Sequence, residues 1–342
     1  MVYRATSRGC RVAWRRSLWC VAAVAAVVLS LFLTPAAGQN RPATGSFGVE
    51  PSTQLTLALI GDTPYGDAQT EDFPQLVDDI NAGQAIRLVL HAGDVKEGVA
   101  PCHGDWLDHL LSPEGTLDDP LVLTPGDNEW TGCHQPGAGR HVPTKRLAAL
   151  RDALFPEPGR TLGANPMVVE SQAEHAQEPE HEPYVENVRF SRAGVVFATV
   201  HVVGSENDLE PWYGLPNGDR PVQRKGEFRA RRAANLTWIK QVFNKTERDA
   251  AAGVLLMMHA EPVADPAWRR ERKLIKMSAR QFSVPVLLVH GDEHNYEAEP
   301  NYAGVSNLTR LETYGVTVDN WLAVTVDSDS PRVFSWETRT VD

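Results

Sequence analysis

Five short apolar runs, each stopping at a turn that carries aspartate or histidine, constrain this chain more than any other feature. Three lie early: Leu55 to Ile60 before Gly61-Asp62-Thr63-Pro64-Tyr65, Ile86 to Leu90 before His91-Ala92-Gly93-Asp94, and Leu121 to Thr124 before Pro125-Gly126-Asp127-Asn128-Glu129. Val254 to Met258 before His259, and Val286 to Val289 before His290-Gly291-Asp292-Glu293-His294, complete the set. Runs of this length bounded by turn residues read as buried strands. Parallel strands of an open α/β sheet end on one edge, so turns far apart in sequence can share one crevice. The glycine before each aspartate predicts a sharp turn that exposes a carboxylate. A lone Gly-Asp is an ordinary turn signal, whereas four such turns with a strand-end histidine point to a metal site.

In chain order these residues resemble the signature of the calcineurin-like metallophosphoesterase superfamily: Asp-x-His, Gly-Asp, Gly-Asn-His-Glu or Asp, a lone His, and Gly-His-x-His. GDTPY, HAGDVKEG and TPGDNEW look like a divergent exported branch of it, and the likeness covers nearly all of the chain beyond its leader. The resemblance implies an α/β fold with two mixed β-sheets packed face to face and flanking helices, a four-layer sandwich. Spacing alone supports only the α/β alternation. The resemblance also implies two metal ions. Asp94, Asp127, His259 and Asp292 would surround one, and Asp62, Asp94 and His294 the other, with Asp94 bridging and one ligand missing.

Three features differ from the family pattern. Pro64 stands where the family has a metal-binding histidine, and proline cannot ligate. Tyr65, one position on, is either an extra ligand through its phenolate or a packed, hydrogen-bonded tyrosine. Asn128 replaces the histidine that protonates the leaving group or stabilises the transition state; it donates a hydrogen bond but not a proton. His91, His134 and Lys96 are the candidates for another acid, with His91 and His134 otherwise read as structural. Asp127 and Asp292 replace an amide and an imidazole, which makes the ligand set harder and more anionic.

Four carboxylates without cations repel one another and raise some of their pKa values. Two divalent ions balance them, and oxygen-rich ligation favours Mn, Fe or Mg, with Zn an allowed alternative. The implied reaction is hydrolysis of phosphate mono- or diesters by in-line attack of a metal-bound hydroxide. The alternative is a catalytically degenerate metal-binding member that serves as a ligand-binding or cell-envelope protein. Glu129 is expected to accept backbone N–H groups, and Trp130 to pack under its loop.

With 342 residues, 42% hydrophobic and 23% charged, the chain can build a soluble core without staples. Arg4, Arg8, Arg11, Arg15 and Arg16 precede an apolar stretch from Leu18 to Leu33 and the small residues Ala36-Ala37-Gly38. Residues 1–38 read as a secretory signal, or else as an N-terminal anchor; 39–53 read as a flexible linker and 54–342 as the phosphoesterase domain. The expected location is exported, periplasmic or secreted, with no membrane contact for the mature domain if the signal is cleaved. Removing the leader deletes five arginines and no acid, taking the formal charge from −11 to −16. So acidic a protein is poorly suited to gripping nucleic-acid phosphates, and the expected partner is a small phosphorylated substrate. Cys10 and Cys20 lie in the leader, leaving Cys102 and Cys133. The implied fold sets both on loops at the active edge, where an oxidising compartment permits a disulfide; two buried thiols are the alternative.

Elsewhere, Thr144 to Phe155 reads as a helix and Glu170 to Glu186 as a mobile acidic surface insertion. Asn187 to Phe190 and Val195 to Val203 form a hairpin with His201 as a core histidine, and Ser205 to Asp208 a loop at the crevice. Glu227 to Phe243 reads as an amphipathic helix with Leu236, Ile239 and Val242 inward, and with Arg229, Arg231 and Arg232 toward solvent or an anionic substrate. Trp321 to Val326 and Arg332 to Trp336 read as strands.

Overall fold

Val, Leu and Ile dominate the apolar runs, and each run becomes a strand in the computed structural model, which describes residues 52–103, 116–176 and 178–341. The leader 1–38 and the linker up to residue 51 lie outside the described residues. In the first sheet β1 (Gln54–Ile60), β2 (Ile86–His91) and β3 (Leu121–Leu123) are parallel. On the other side of β1, β11 (Asn320–Asp327) and then β12 (Phe334–Thr340) add antiparallel. The second sheet contains β4 (Glu170–Ser171), β5 (Val188–Arg192), β6 (Val195–Thr199), β7 (Gly253–Met257), β8 (Val286–His290), β9 (Glu297–Pro300) and β10 (Leu308–Glu312). Their order is β4-β5-β6-β7-β8-β10-β9, parallel from β6 to β10 and antiparallel at both margins.

Successive side chains of a strand face opposite ways, and here both faces are covered. Leu57 and Leu59 point between the sheets, into a core with Leu88, Leu90, Phe197, Leu255, Met257, Leu287, Val289 and Leu322. Ala58 and Ile60 point outward, against Phe73, Leu76, Val77 and Ile80 of α1 (Gly66–Ala82) and Leu147, Leu150 and Leu154 of α2 (Pro143–Leu154). Val196, Ala198, Val254, Leu256 and Leu288 cover the outer face of the second sheet. They meet Trp238, Ile239, Val242 and Phe243 of α3 (Pro221–Arg248) and Ile275 and Ala279 of α4 (Arg269–Phe282). The result is the helix, sheet, sheet, helix sandwich. Burial on both faces is why these strands read as unbroken apolar runs rather than alternating ones. Each buried Leu, Ile or Val contributes about 1.5–3 kcal/mol. Among the described residues no helix is long and apolar enough to cross a membrane.

Three expectations are corrected. The two ends of the segment 170–186 are built into the fold, with Glu170 and Ser171 paired with β5 and Glu186 fully buried, while Glu174, His175, Glu178, Glu180 and Glu182 between them are exposed at the surface as expected. Cations neutralise the acids at the two ends, with Arg189 and Lys245 on Glu170, and Arg151 on Glu186 at 2.6 Å. Arg231 is likewise not on a solvated or substrate-facing surface but fully buried on α3, where Glu227, one turn earlier, pairs with it at 2.8 Å. Leu236 is only half-buried, and Trp238 takes the inward position instead.

Cys102, in the loop after β2, and Cys133, after β3, are joined by a disulfide across 31 residues of sequence with a Cα separation of 5.7 Å. It ties the second and third turns together. Reduction, or Cys133→Ser, is expected to lower unfolding free energy by about 2–4 kcal/mol, read as a drop in denaturation midpoint with and without dithiothreitol.

Candidate metal centre

The strands bearing the five turns deliver them to one edge of the sandwich, where the turns of both sheets touch. The backbone N–H of Asp292 donates to Asp62 Oδ1 at 3.0 Å. His259 sits at the centre, fully buried. Its Nδ1 donates to Ala92 O at 2.9 Å, which aims Nε2 at Asp127 Oδ1 (3.1 Å), Asp292 Oδ1 (3.2 Å) and Asp94 Oδ2 (3.5 Å). On the other flank His294 Nε2 lies 3.6 Å from Asp62 Oδ1. Two groups of ligand atoms, from Asp62, Asp94 and His259 and from Asp127, His259 and Asp292, each gather within 4.8 Å. All six expected ligands therefore meet at this edge.

The glycines act differently from the expectation. Of the four that precede the turn aspartates, only Gly93 has a left-handed φ, 96°; the aspartates Asp62, Asp94 and Asp292 take positive φ themselves, at 53°, 54° and 79°. What the glycines supply is closeness. A Cβ on Gly126 would stand 1.9 Å from Asp94 Oδ1, and one on Gly291 would stand 2.1 Å from Asp62 Oδ2. Each turn thus makes room for the carboxylate of another, which a side chain at that position would exclude.

The electrostatics fit a divalent cation. Burial pushes the Asp94 carboxyl well above its usual range, with Asp127, Glu129 and Asp62 adding to the effect against the opposing pull of His259. Asp292 is raised by burial as well. Burial also works on Asp127, but hydrogen bonds from His259 and Ser205 outweigh it and hold that carboxyl low. Burial opposes charge on His259, yet Asp94, Asp127 and Asp292 prevail and raise its pKa. Carboxylate oxygens with two imidazoles, short of positive charge, form a donor set of the kind that a divalent metal ion accepts.

Around this centre the other candidates take distinct places. Tyr65 Oη donates to Asp94 Oδ2 at 2.9 Å and lies 3.5 Å from His294 Nε2, so the phenol reaches the flank where Pro64 cannot ligate. Asn128 donates its backbone N–H to Asp94 Oδ1 (2.9 Å), and its amide to Tyr65 Oη (2.9 Å) and Lys96 O (3.1 Å). His91 is fully buried: it accepts from Gly93 N on Nδ1 and donates from Nε2 to Thr63 O at 3.0 Å, bracing the first two turns. His134 donates to Thr131 O at 2.8 Å and meets the Tyr213 ring edge-on, centroids 4.9 Å apart. Lys96 is buried, which lowers its pKa, and Nζ donates to Glu97 O and Ala100 O. Glu129 accepts the Val95 N–H, and Trp130 is fully buried beneath the third turn.

Sequence reasoning did not assign the direct contacts of Ser205 and Thr313. Ser205 Oγ donates to Asp127 Oδ2 at 2.6 Å, and Thr313 Oγ1 to Asp62 Oδ2 at 3.3 Å. Serine and threonine in loops carry no spacing signature, so only the fold exposes them. His201, below Trp130 with centroids 5.5 Å apart, is fully buried and donates Nδ1 to Glu186 Oε1 at 2.6 Å.

This architecture and this carboxylate–imidazole edge agree with the comparison to known families. Residues 55–296 match the calcineurin-like phosphoesterase family, and the chain belongs to it. Similar solved structures include the purple acid phosphatase PPD1 from yellow lupin, with 13% identity and a TM-score of 0.44 over 85% of this chain and 55% of that one. The calcineurin-like phosphoesterase YfkN of Bacillus subtilis gives 13% identity and a TM-score of 0.40 over 85% and 92%. GAP50, the anchor in the inner membrane complex of Plasmodium, gives 9% and 0.46 over 84% and 89%. The chain spans only 55% of the lupin protein's length. No curated protein matches it in sequence.

Gly126→Ala is expected to displace Asp94, lowering stability by about 1–3 kcal/mol through overpacking and weakening metal uptake, read by thermal denaturation and by metal content after dialysis. A second expectation concerns acid. Burial lowers the His201 pKa to about 4, so the folded protein refuses a proton that the unfolded chain accepts near pH 6.5. The contribution of this histidine is therefore full above pH 6.5 and falls as pH drops toward 4, by up to about 1.4 kcal/mol per pH unit. Glu186 acts in the same sense at lower pH: burial opposes its charge, but Arg151 and His201 hold its carboxyl well below the usual range. Buried acids whose pKa is raised, Asp208 among them, act in the opposite sense, so the test is the difference between the parent and His201→Gln: in urea denaturation between pH 7 and 5 the parent should lose more stability with falling pH than the variant.

Proposed function

We propose that this protein is an exported, metal-dependent phosphoesterase acting on small phosphate mono- or diesters. The observation that carries the reading is the convergence of Asp94, Asp127 and Asp292 on His259 Nε2 within 3.5 Å, at an edge where His294 Nε2 also lies 3.6 Å from Asp62 Oδ1. Asp94 would be shared between two ions, with Asp127, His259 and Asp292 holding one and Asp62 and His294 the other. Two divalent ions would supply charge to stabilise the attacking and leaving oxygens of an in-line displacement at phosphorus and would activate the attacking water.

The chain's own groups orient and shield that reaction. Ala92 O holds the His259 tautomer that presents Nε2, and His91 keeps the first two turns in contact. Tyr65 and Asn128 form a hydrogen-bonded pair that braces the Asp94 carboxylate, one through its hydroxyl and the other through its backbone N–H. His134 is the remaining candidate for delivering a proton to the leaving group. The arginine-rich, apolar leader and the Cys102–Cys133 disulfide support export to an oxidising compartment.

A second reading, a metal-binding member without turnover, is favoured by one contact set: the Asn128 amide is engaged by Tyr65 Oη and Lys96 O, and an amide supplies no proton. Kinetics separate the two readings. With Mn²⁺, the purified protein is expected to hydrolyse aryl phosphate mono- or diesters. Asp94→Asn should lose at least the roughly 10–100-fold that removal of an outer-shell partner costs, together with metal at both positions. Tyr65→Phe should keep most of its metal. Bound metal without turnover would favour the second reading, and equal metal loading in Asp94→Asn would remove the bridging assignment.

A further inference from the structure

The segment that follows β6 contains an unusual backbone feature. Ser205, Glu206, Asn207 and Asp208 all take left-handed φ, at 50°, 50°, 56° and 65°. Side-chain-bearing residues visit this region singly, because Cβ crowds the following carbonyl; a consecutive run requires an external hold. Arg231 supplies it. Although fully buried, its guanidinium donates to His201 O (3.1 Å), Asn207 Oδ1 (2.5 Å) and Asn207 O (3.0 Å). Glu227 neutralises it at 2.8 Å, and its Cζ lies 5.2 Å from the ring centroid of Trp130, which underlies the third turn. Asn207 is tied further to Ala267 O at 3.1 Å, and Asp208 accepts from Trp212 Nε1 at 2.9 Å.

The strained turn delivers a hydroxyl to the metal centre. Ser205 Oγ donates to Asp127 Oδ2 at 2.6 Å, while Asp127 Oδ1 faces His259 Nε2 at 3.1 Å. The backbone entering the turn is equally close: a Cβ on Gly204 would lie 2.3 Å from Asp292 Oδ1 and 2.7 Å from Asp127 Oδ1. No other residue type fits there without moving two candidate ligands.

We propose that Ser205 is a positioning residue of the metal centre, and that the Arg231-held left-handed turn serves to keep its hydroxyl on the outer oxygen of Asp127. The inference rests on the metal-site reading above. A carboxylate binds an ion through one oxygen or two, and large, flexible coordination such as that of Ca²⁺ accepts the bidentate form. Occupying Oδ2 with a charge-assisted hydrogen bond leaves Asp127 one oxygen for an ion, which favours smaller ions of regular geometry. It also spreads the negative charge that an aspartate brings to this position.

The test is calorimetric titration of the full chain, Ser205→Ala and Ser205→Gly with Mn²⁺ and with Ca²⁺, alongside thermal denaturation in EDTA. Both variants are expected to bind Mn²⁺ roughly 10–100-fold more weakly than the parent, with the Mn²⁺ to Ca²⁺ preference reduced. In EDTA, Ser205→Gly should unfold at or above the parent's midpoint, because glycine takes a left-handed φ without strain. Weaker binding would then trace to the missing hydroxyl and not to a damaged fold. Parent-like Mn²⁺ affinity in both variants overturns the proposal, as does recovery in Ser205→Gly of affinity lost in Ser205→Ala. A parent that takes up no metal overturns this inference and the metal-dependent hydrolase together. A parent that binds Mn²⁺ but hydrolyses nothing counts against the hydrolase alone.

Discussion

Crowded negative charge at the edge of the sandwich is the constraint on which the rest of this structure depends. Asp62, Asp94, Asp127 and Asp292 converge there, and buried carboxylates in such proximity stay ionised only when opposite charge or hydrogen-bond donors compensate them. His259 is the protein's principal answer, with its tautomer fixed by Ala92 O and its free nitrogen turned to three acids. Backbone N–H groups of Asn128 and Asp292 and the hydroxyls of Ser205, Tyr65 and Thr313 add to it. What they leave uncompensated is the opening for divalent cations.

Close approach has its own requirements, and these explain features that look unrelated in sequence. Gly126, Gly291 and Gly204 face carboxylates at distances where no Cβ fits. Asp62, Asp94, Asp292 and His294 sit at positive φ, and residues 205–208 form a left-handed turn. At roughly 1–2 kcal/mol per left-handed residue, this strain is tolerable only on a scaffold with stability to spare. The two-sided burial of β1, β2, β7 and β8 and the disulfide between the adjoining loops provide that scaffold.

A second buried charge system lies beneath the first. Arg151, Glu186 and His201 form one part of it, Arg231 and Glu227 the other, and Trp130 touches both His201 and Arg231. Burial and the carboxyl of Glu227 also push the Asp208 pKa up to about 8, so the turn that carries Ser205 holds a buried acid whose charge is disfavoured. The ground beneath the third turn and the Ser205 turn is therefore held by ion pairs of α2, α3 and the segment before β5, well away from the candidate ligands in sequence.

The amino-acid sequence by itself determined the five strands that carry the turns and the turns themselves, and its resemblance to the family named the six candidate ligands on them; the strands Glu170–Ser171, Glu297–Pro300 and Leu308–Glu312 were not read from it. The strands and turns were legible because their signal is local: an apolar run that stops at an aspartate or histidine, with a glycine before each of the four aspartates. Only the tertiary structure decided how those turns are used. It moved the sharp backbone torsion from Gly61 and Gly291 onto Asp62 and Asp292, and made Gly126 and Gly291 points of contact. It buried Arg231 and Glu186, which local composition had placed at the surface, because their neutralising partners come from other elements. It set Ser205 on Asp127 across 78 residues. Charge compensation and steric fit between distant segments leave no periodicity in a single sequence, and that is why this part of the site became visible only in the folded chain.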